Sequence, residues 1–167
     1  MRFLLFLLLF LSLTAPVQAQ RQPLGIFFQW GAFREQGAQH CFAIAEPERA
    51  PKAGAWRPSV AVGYWPRRGV RGQVHFRLSR EKRAGSAVLL RIDDRTFQLI
   101  GGGIDAWAPD RQADAEIVAA MRSGVDMTIE TRSERGALIR EHYRLRGAAT
   151  AIDAAAIACA GAAGKKP

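Results

Sequence analysis

The chain has 167 residues and a formal net charge of +9 at pH 7, and 49% of its residues are hydrophobic. This length fits one domain with a sizeable core, and no segment after residue 19 is apolar for long enough to cross a bilayer, which excludes a membrane-spanning mature chain. The charge comes almost entirely from arginine and favours anionic partners, although an arginine-rich surface that only keeps the protein soluble is the alternative.

Residues 1–19 have the layout of a secretory signal peptide. Arg2 precedes an apolar run over residues 3–13, and Val17-Gln18-Ala19 provides a cleavage site that ends in a small residue. The apolar run is about half the ~20 residues that a spanning helix needs. We therefore expect cleavage after Ala19 and export to the periplasm, the outer membrane or the medium. Nucleic acid is then not an expected partner.

Residues 20–58 predict a loose lead-in, a hairpin and a long loop. Residues 26–33 and 40–45 are aromatic and β-favouring, and Gly37 lies in the turn between them. Residues 46–58 contain three prolines and form the longest irregular segment, which is a natural place for a binding surface.

Residues 59–100 predict an antiparallel meander. Residues 59–65, 72–78, 87–92 and 95–100 are short β-favouring segments separated by turns, and Asp93-Asp94 forms one of these turns. The glycines at 101–103 predict a loop with positive φ rather than a phosphate-binding loop, because no Gly-Lys-Ser/Thr sequence follows.

Residues 110–160 predict two helices separated by two strands. Asp110 is the expected N-cap of a helix that ends at Gly124. Residues 126–131 and 137–145 are predicted strands, and Thr150 is the expected cap of a final helix that ends near Cys159. Residues 161–167 are expected to form a flexible tail.

The chain contains two cysteines, Cys41 and Cys159. In an oxidising compartment such a pair predicts a single disulfide that joins the final helix to the first hairpin. A reactive or metal-binding thiol is the alternative, but neither cysteine lies in a Cys-x-x-Cys motif. With about eight strands, the sequence predicts a mainly β, antiparallel domain over residues 20–160, either a sandwich or a closed barrel.

Several short motifs resemble those of the invasion-associated locus B family of exported proteins. They are Trp30-Gly31-x-Phe33, Cys41-Phe42-Ala43-Ile44-Ala45-Glu46-Pro47, Tyr64-Trp65-Pro66, Ala106-Trp107-Ala108-Pro109-Asp110, Tyr143-x-Leu145-x-Gly147 and Ala151-Ile152-Asp153 with the terminal Cys159. The resemblance spans residues 30–159 and implies an immunoglobulin-like β-sandwich in a Gram-negative envelope, with host-cell invasion as a family association. Its motifs are structural rather than catalytic.

One local pattern suits a binding surface. Trp56 and Arg57 lie in the proline-rich loop, and Arg67 and Arg68 follow soon after, so an aromatic ring and cations are expected together, facing an anionic lipid, glycan or protein partner. A tryptophan that only tucks the loop onto the sandwich is the alternative.

Catalytic motifs are weak. The histidines His40, His75 and His142 form neither a His-Glu-x-x-His motif nor an i, i+4 pair, and the sequence contains no Gly-x-Ser-x-Gly. We therefore expect no metal, no cofactor and no catalytic residues. The alternative to a binding protein is an enzyme, a hydrolase of an anionic envelope polymer that uses His75 or His142 with a nearby carboxylate.

Overall fold

The computed structural model describes residues 21–35, 39–49 and 56–160. Within them lie two helices, a one-turn 3-10 helix over Pro66–Arg68, and ten strands. The strands are β1 (Arg21–Phe27), β2 (Trp30–Glu35), β3 (His40–Ala45), β4 (Ser59–Trp65), β5 (Val70–Arg77), β6 (Val88–Ile92), β7 (Arg95–Gly102), β8 (Asp105–Trp107), β9 (Asp126–Arg132) and β10 (Leu138–Arg144). The helices are α1 (Arg111–Ser123) and α2 (Ala148–Ala160). The predicted signal peptide and tail fall outside the described residues.

All ten strands pair antiparallel in one sheet, with the order β1-β2-β3-β4-β5-β8-β7-β6-β9-β10. The sheet folds back on itself, because β10 contacts strands near its opposite end. The Phe76 ring of β5 and the Tyr143 ring of β10 lie 6.0 Å apart, although four strands separate them in the sheet. The Trp30 indole of β2 also donates to the Arg144 carbonyl at 2.9 Å. The prediction of a mainly β, antiparallel fold is therefore confirmed.

The core lies on the inner face of this folded sheet. Alternation in β4 and β5 turns Val60, Val62, Val74 and Phe76 inward, and all four are fully buried. Strands β6 and β9 contribute Leu90, Ile92, Met127 and Ile129 to the same core from the other part of the sheet.

Helix α1 forms where the sequence predicts it. Its N-cap is Asp110, whose carboxylate accepts from the Ala113 amide at 2.8 Å, and Gly124 is its C-cap. Ile117 and Met121 are buried, and the Asp114 carboxylate accepts from the Val74 amide of β5 at 2.8 Å. The helix is thereby fixed beside β5.

Helix α2 lies on the inner face of β1–β4, and Cys159 near its end forms the predicted disulfide with Cys41 of β3. Alanine dominates its sequence, so the helix backbone can approach the strands closely. The predicted Thr150 cap is wrong, because α2 begins at Ala148, directly after Gly147 with its φ of +93°. Among the described residues, neither helix is long and apolar enough to span a membrane.

The other differences from prediction concern the N-terminal strands and the strand count. The expected lead-in is part of β1, and the single strand expected at residues 26–33 is broken by a two-residue turn at Phe28-Gln29. A further short strand, β8, follows the glycine run. The described residues therefore form ten strands where about eight were expected.

Candidate functional site

The structure divides the binding surface predicted from sequence. Trp56 and Arg57 precede the start of β4 at Ser59, whereas Arg67 and Arg68 follow its end at Trp65. A seven-residue strand spans about 23 Å, so the two pairs lie at opposite ends of the strand and do not form one cluster.

Trp56 is held against the residue that follows β5. The indole Nε1 donates to the Leu78 carbonyl at 2.9 Å and the side chain is partly buried. This is the arrangement described above as the alternative to a binding role. Arg57 points outward: its side chain is 79% exposed and lies 3.2 Å from the Glu46 carboxylate.

The turn between β1 and β2 holds a large apolar side chain in an unfavourable position. Phe28 has a φ of +57° and is 62% exposed. A two-residue hairpin turn with positive φ at its first central residue favours glycine there, and a bulky residue in this region is strained by about 1–3 kcal/mol. Both the strained backbone and the exposed apolar ring are unfavourable for the stability of the fold. Phe28 is therefore a candidate functional residue.

Phe28 lies beside further exposed apolar and basic side chains. The guanidinium carbon of Arg146 lies 3.9 Å from the centroid of the Phe28 ring, within the range of a cation–π contact. Phe28, Gln29, Val125 and Arg146 line one cavity of about 550 Å³, and Val125 is 63% exposed. The turn after α1 thus meets the tip of the β1–β2 hairpin.

A second groove continues from the same tip along the outer face of the sheet. It has a volume of about 520 Å³ and shares Gln29 with the first cavity. Ile26, which is 67% exposed, and Arg57 line it. We call Ile26, Phe28, Val125, Arg146 and Arg57 the Phe28 surface.

The charges around this surface are not all balanced. Arg144 pairs with Glu48 at 2.7 Å and with Asp126 at 3.5 Å. The hydrogen bond from Arg144, and more weakly that from His142, hold the pKa of the Glu48 carboxyl below its usual value. Among the described residues, Arg146 has no acidic partner within ion-pair distance, so its charge remains available.

Each histidine contacts a carboxylate. His40 Nδ1 lies 3.4 Å from Glu35, His75 Nε2 lies 2.7 Å from Asp105 and His142 Nδ1 lies 2.9 Å from Glu48. These three carboxylates also lie within 4.0 Å of Arg21, Arg77 and Arg144 respectively. They therefore belong to ion-pair networks between strands and loops.

The His142–Glu48 pair borders a groove. Glu48 lines the groove beside Ile26, and so does Ser59. Within the part of the chain that the structure describes, the Ser59 hydroxyl makes no hydrogen bond to either His142 or Glu48. The three residues thus do not form the hydrogen-bonded chain that activates a serine nucleophile. In that same part, no three His, Cys, Asp or Glu side chains are grouped to hold a metal ion.

Sequence reasoning missed Phe28 because residues 26–33 have uniform β character. Phe28-Gln29 is not a turn dipeptide, and neither residue signals a reversal of the chain. The available signal was the adjacent pair Phe27-Phe28, which would put one bulky aromatic ring on each face of a continuous strand, followed by the polar Gln29.

No family model, curated protein or solved structure matches the chain. The likeness to the invasion-associated locus B family thus rests on the short motifs alone.

Proposed function

We propose that this chain is an exported, non-enzymatic binding protein of the cell envelope that docks on an anionic lipid surface through the Phe28 surface. The observation that carries the proposal is the exposed Phe28 ring at positive φ, stacked under Arg146.

The composition of the surface suits a lipid interface. Phe28, Ile26 and Val125 are each more than 60% exposed to water, and fully burying such a side chain is worth about 1.5–3 kcal/mol. Each arginine near an anionic membrane adds about 1 kcal/mol. The apolar tip would enter the acyl boundary while Arg146, which has no acidic partner among the described residues, remains at the phosphates.

The rest of the chain supports this reading. The full chain carries a net charge of +9, and loss of Arg2 with the expected signal peptide leaves a positive chain that an anionic surface attracts. The signal-peptide pattern predicts export to a compartment where such lipids are accessible. The likeness to the invasion-associated locus B family agrees with an envelope location. A role in host interaction is a further part of the proposal, and it rests on this likeness alone. The immunoglobulin-like sandwich belongs to the same proposal, supported by the contact between β5 and β10.

Vesicle sedimentation tests the lipid docking. The mature protein should sediment with phosphatidylglycerol–phosphatidylcholine vesicles and not with pure phosphatidylcholine vesicles. Raising the salt from 0.05 to 0.5 M should release it, because the Debye length shortens. Salt-independent binding would contradict the proposal, and so would binding to an anionic polysaccharide without binding to the vesicles.

A second candidate is a hydrolase of an anionic envelope polymer. The His142–Glu48 contact beside the groove is the observation that favours it. Release of reducing ends or phosphate from envelope polymers by wild type, and not by His142→Gln, would establish it.

A further inference from the structure

A separate cleft lies where the two helices meet β4 and β5. Two adjoining cavities, of about 280 and 290 Å³, share Tyr64 and Arg71 as lining residues. Ala156 and Cys159 of α2 line the first cavity, and Val118 of α1 lines the second. Together they have the size and the mainly apolar walls of a site for a small ligand.

The sequence keeps this space open. Ala156, on the side of α2 that lines the cleft, is too short to fill it, and the Cys41–Cys159 disulfide fixes the helix at that end. Gly72, with a φ of +79°, lies between Tyr64 and Val118 and adds no side chain. The short side chains at Ala156 and Gly72 thus leave the cleft unfilled.

Polar groups converge at one place in the cleft. Arg71 and Tyr64 face each other across β4 and β5. Among the described residues, Arg71 has no acidic partner within ion-pair distance, and the Tyr64 hydroxyl has no hydrogen-bond partner. Arg67 and Arg68 follow Pro66, which lines the first cavity, and both are exposed. The predicted arginine pair thus forms a basic rim beside an apolar cleft.

We infer that this cleft binds a single-chain anionic amphiphile of the fatty-acid type. The carboxylate contacts Arg71 and the Tyr64 hydroxyl, and the chain lies along Ala156 and Val118. Charge complementarity selects the head group, because Arg71 has no acidic partner among the described residues. The other cation of the lining, Arg122, is paired with Asp153 at 2.6 Å. This site is independent of the Phe28 surface and does not rest on the proposed docking.

Calorimetric titration with decanoate, below its micelle concentration, tests the site. Wild type should bind decanoate about tenfold more tightly than decan-1-ol, which has the chain without the charge. Acetate, which has the charge without the chain, should not bind. Arg71→Gln should bind decanoate about tenfold more weakly, because it lacks the charge-assisted hydrogen bond. Arg91→Gln, which removes the same charge from an exposed position on β6, should bind like wild type.

Ala156→Leu should fill the cleft and abolish decanoate binding, with thermal unfolding confirming that the variant folds. Arg71 is exposed, so Arg71→Gln keeps the test valid if Ala156→Leu does not fold. No decanoate binding by wild type, equal loss in Arg71→Gln and Arg91→Gln, or full binding by a folded Ala156→Leu would each overturn the inference. Phe28→Ala should bind decanoate normally and Ala156→Leu should bind vesicles normally, which separates failure of this site from failure of the docking.

Discussion

The guanidinium carbon of Arg146 lies 3.9 Å from the centroid of the Phe28 ring, and this contact joins the tip of the β1–β2 hairpin to the two residues that precede α2. The next residue, Gly147, has a φ of +93°, and a Cβ built there would overlap the Phe27 carbonyl oxygen. The residue before the exposed ring, Phe27, is thus packed against the backbone at Gly147, so Phe28 does not lie on a free loop.

Gly147→Ala should lower the free energy of unfolding by about 2 kcal/mol or more, because both the positive φ and the Phe27 carbonyl oppose a side chain. Urea denaturation measures the loss. Gly102→Ala is the matched control, since a Cβ at Gly102 meets nothing within 4 Å, and its effect should stay within about 0.5 kcal/mol. Equal effects of the two substitutions would contradict the close approach of Phe27.

Removing the disulfide in Cys41→Ala/Cys159→Ala should lower the free energy of unfolding by about 3–5 kcal/mol. The cross-link closes a loop of 118 residues and thereby restricts the unfolded chain. The urea midpoint of wild type should fall in dithiothreitol, whereas that of the double variant should not change. Identical midpoints of oxidised and reduced wild type would argue against the cross-link, as would free thiols at both cysteines in non-reducing mass spectrometry.

Replacing the N-cap of α1 in Asp110→Ala should lower the free energy of unfolding by about 1 kcal/mol, since the Ala113 amide loses its acceptor. Asp110→Asn keeps an acceptor at this position and should lose much less. If both variants lose the same amount in urea denaturation, the carboxylate does not act as the cap.

Acidification should destabilise the protein through His40. The ring stacks between Trp65, at 4.1 Å, and Phe42, at 4.9 Å, and its Nε2 is buried without a partner. Burial lowers the pKa of His40 below its usual value, although the contact with Glu35 opposes this. The unfolded chain therefore binds a proton at a higher pH than the native chain does. Stability is thus present above the ordinary histidine pKa and is lost as the pH falls towards the native pKa.

The free energy of unfolding of wild type should thus fall between pH 7.5 and pH 5, and that of His40→Phe, which keeps an aromatic ring in the stack, should fall less. Urea denaturation at the two pH values provides the comparison. An equal fall in both proteins would show that other groups cause the loss.

The sequence predicted correctly those features that depend on neighbouring residues or that allow only one pairing. Asp110 and Gly124 bound α1 because capping chemistry is short-range, and Cys41 had one possible partner in Cys159. The ends of β1 and the turn at Phe28 were missed because contacts with residues distant in sequence determine their positions. The strained φ of Phe28 is held by neighbouring strands and by Arg146, which is 118 positions away.

The candidate site was predicted in fragments for a similar reason. Trp56, Arg57, Arg67 and Arg68 are near one another in sequence, but β4 runs between the two pairs and carries them apart. Conversely, Phe28, Val125 and Arg146 are distant in sequence and meet only because the sheet folds back on itself. Residues close in sequence were therefore wrongly grouped into one surface, because sheet topology decides which side chains meet.

The most direct measurement is the vesicle-bound fraction of Phe28→Gly in low salt. Glycine accepts the positive φ, so the variant should unfold at a urea concentration no lower than that of wild type. It should nevertheless bind phosphatidylglycerol vesicles at least about tenfold more weakly, because the apolar tip is gone. Ile157→Ala, which removes a similarly exposed apolar side chain from near the end of α2, should bind like wild type. Undiminished vesicle binding by a folded Phe28→Gly would contradict docking through the Phe28 surface.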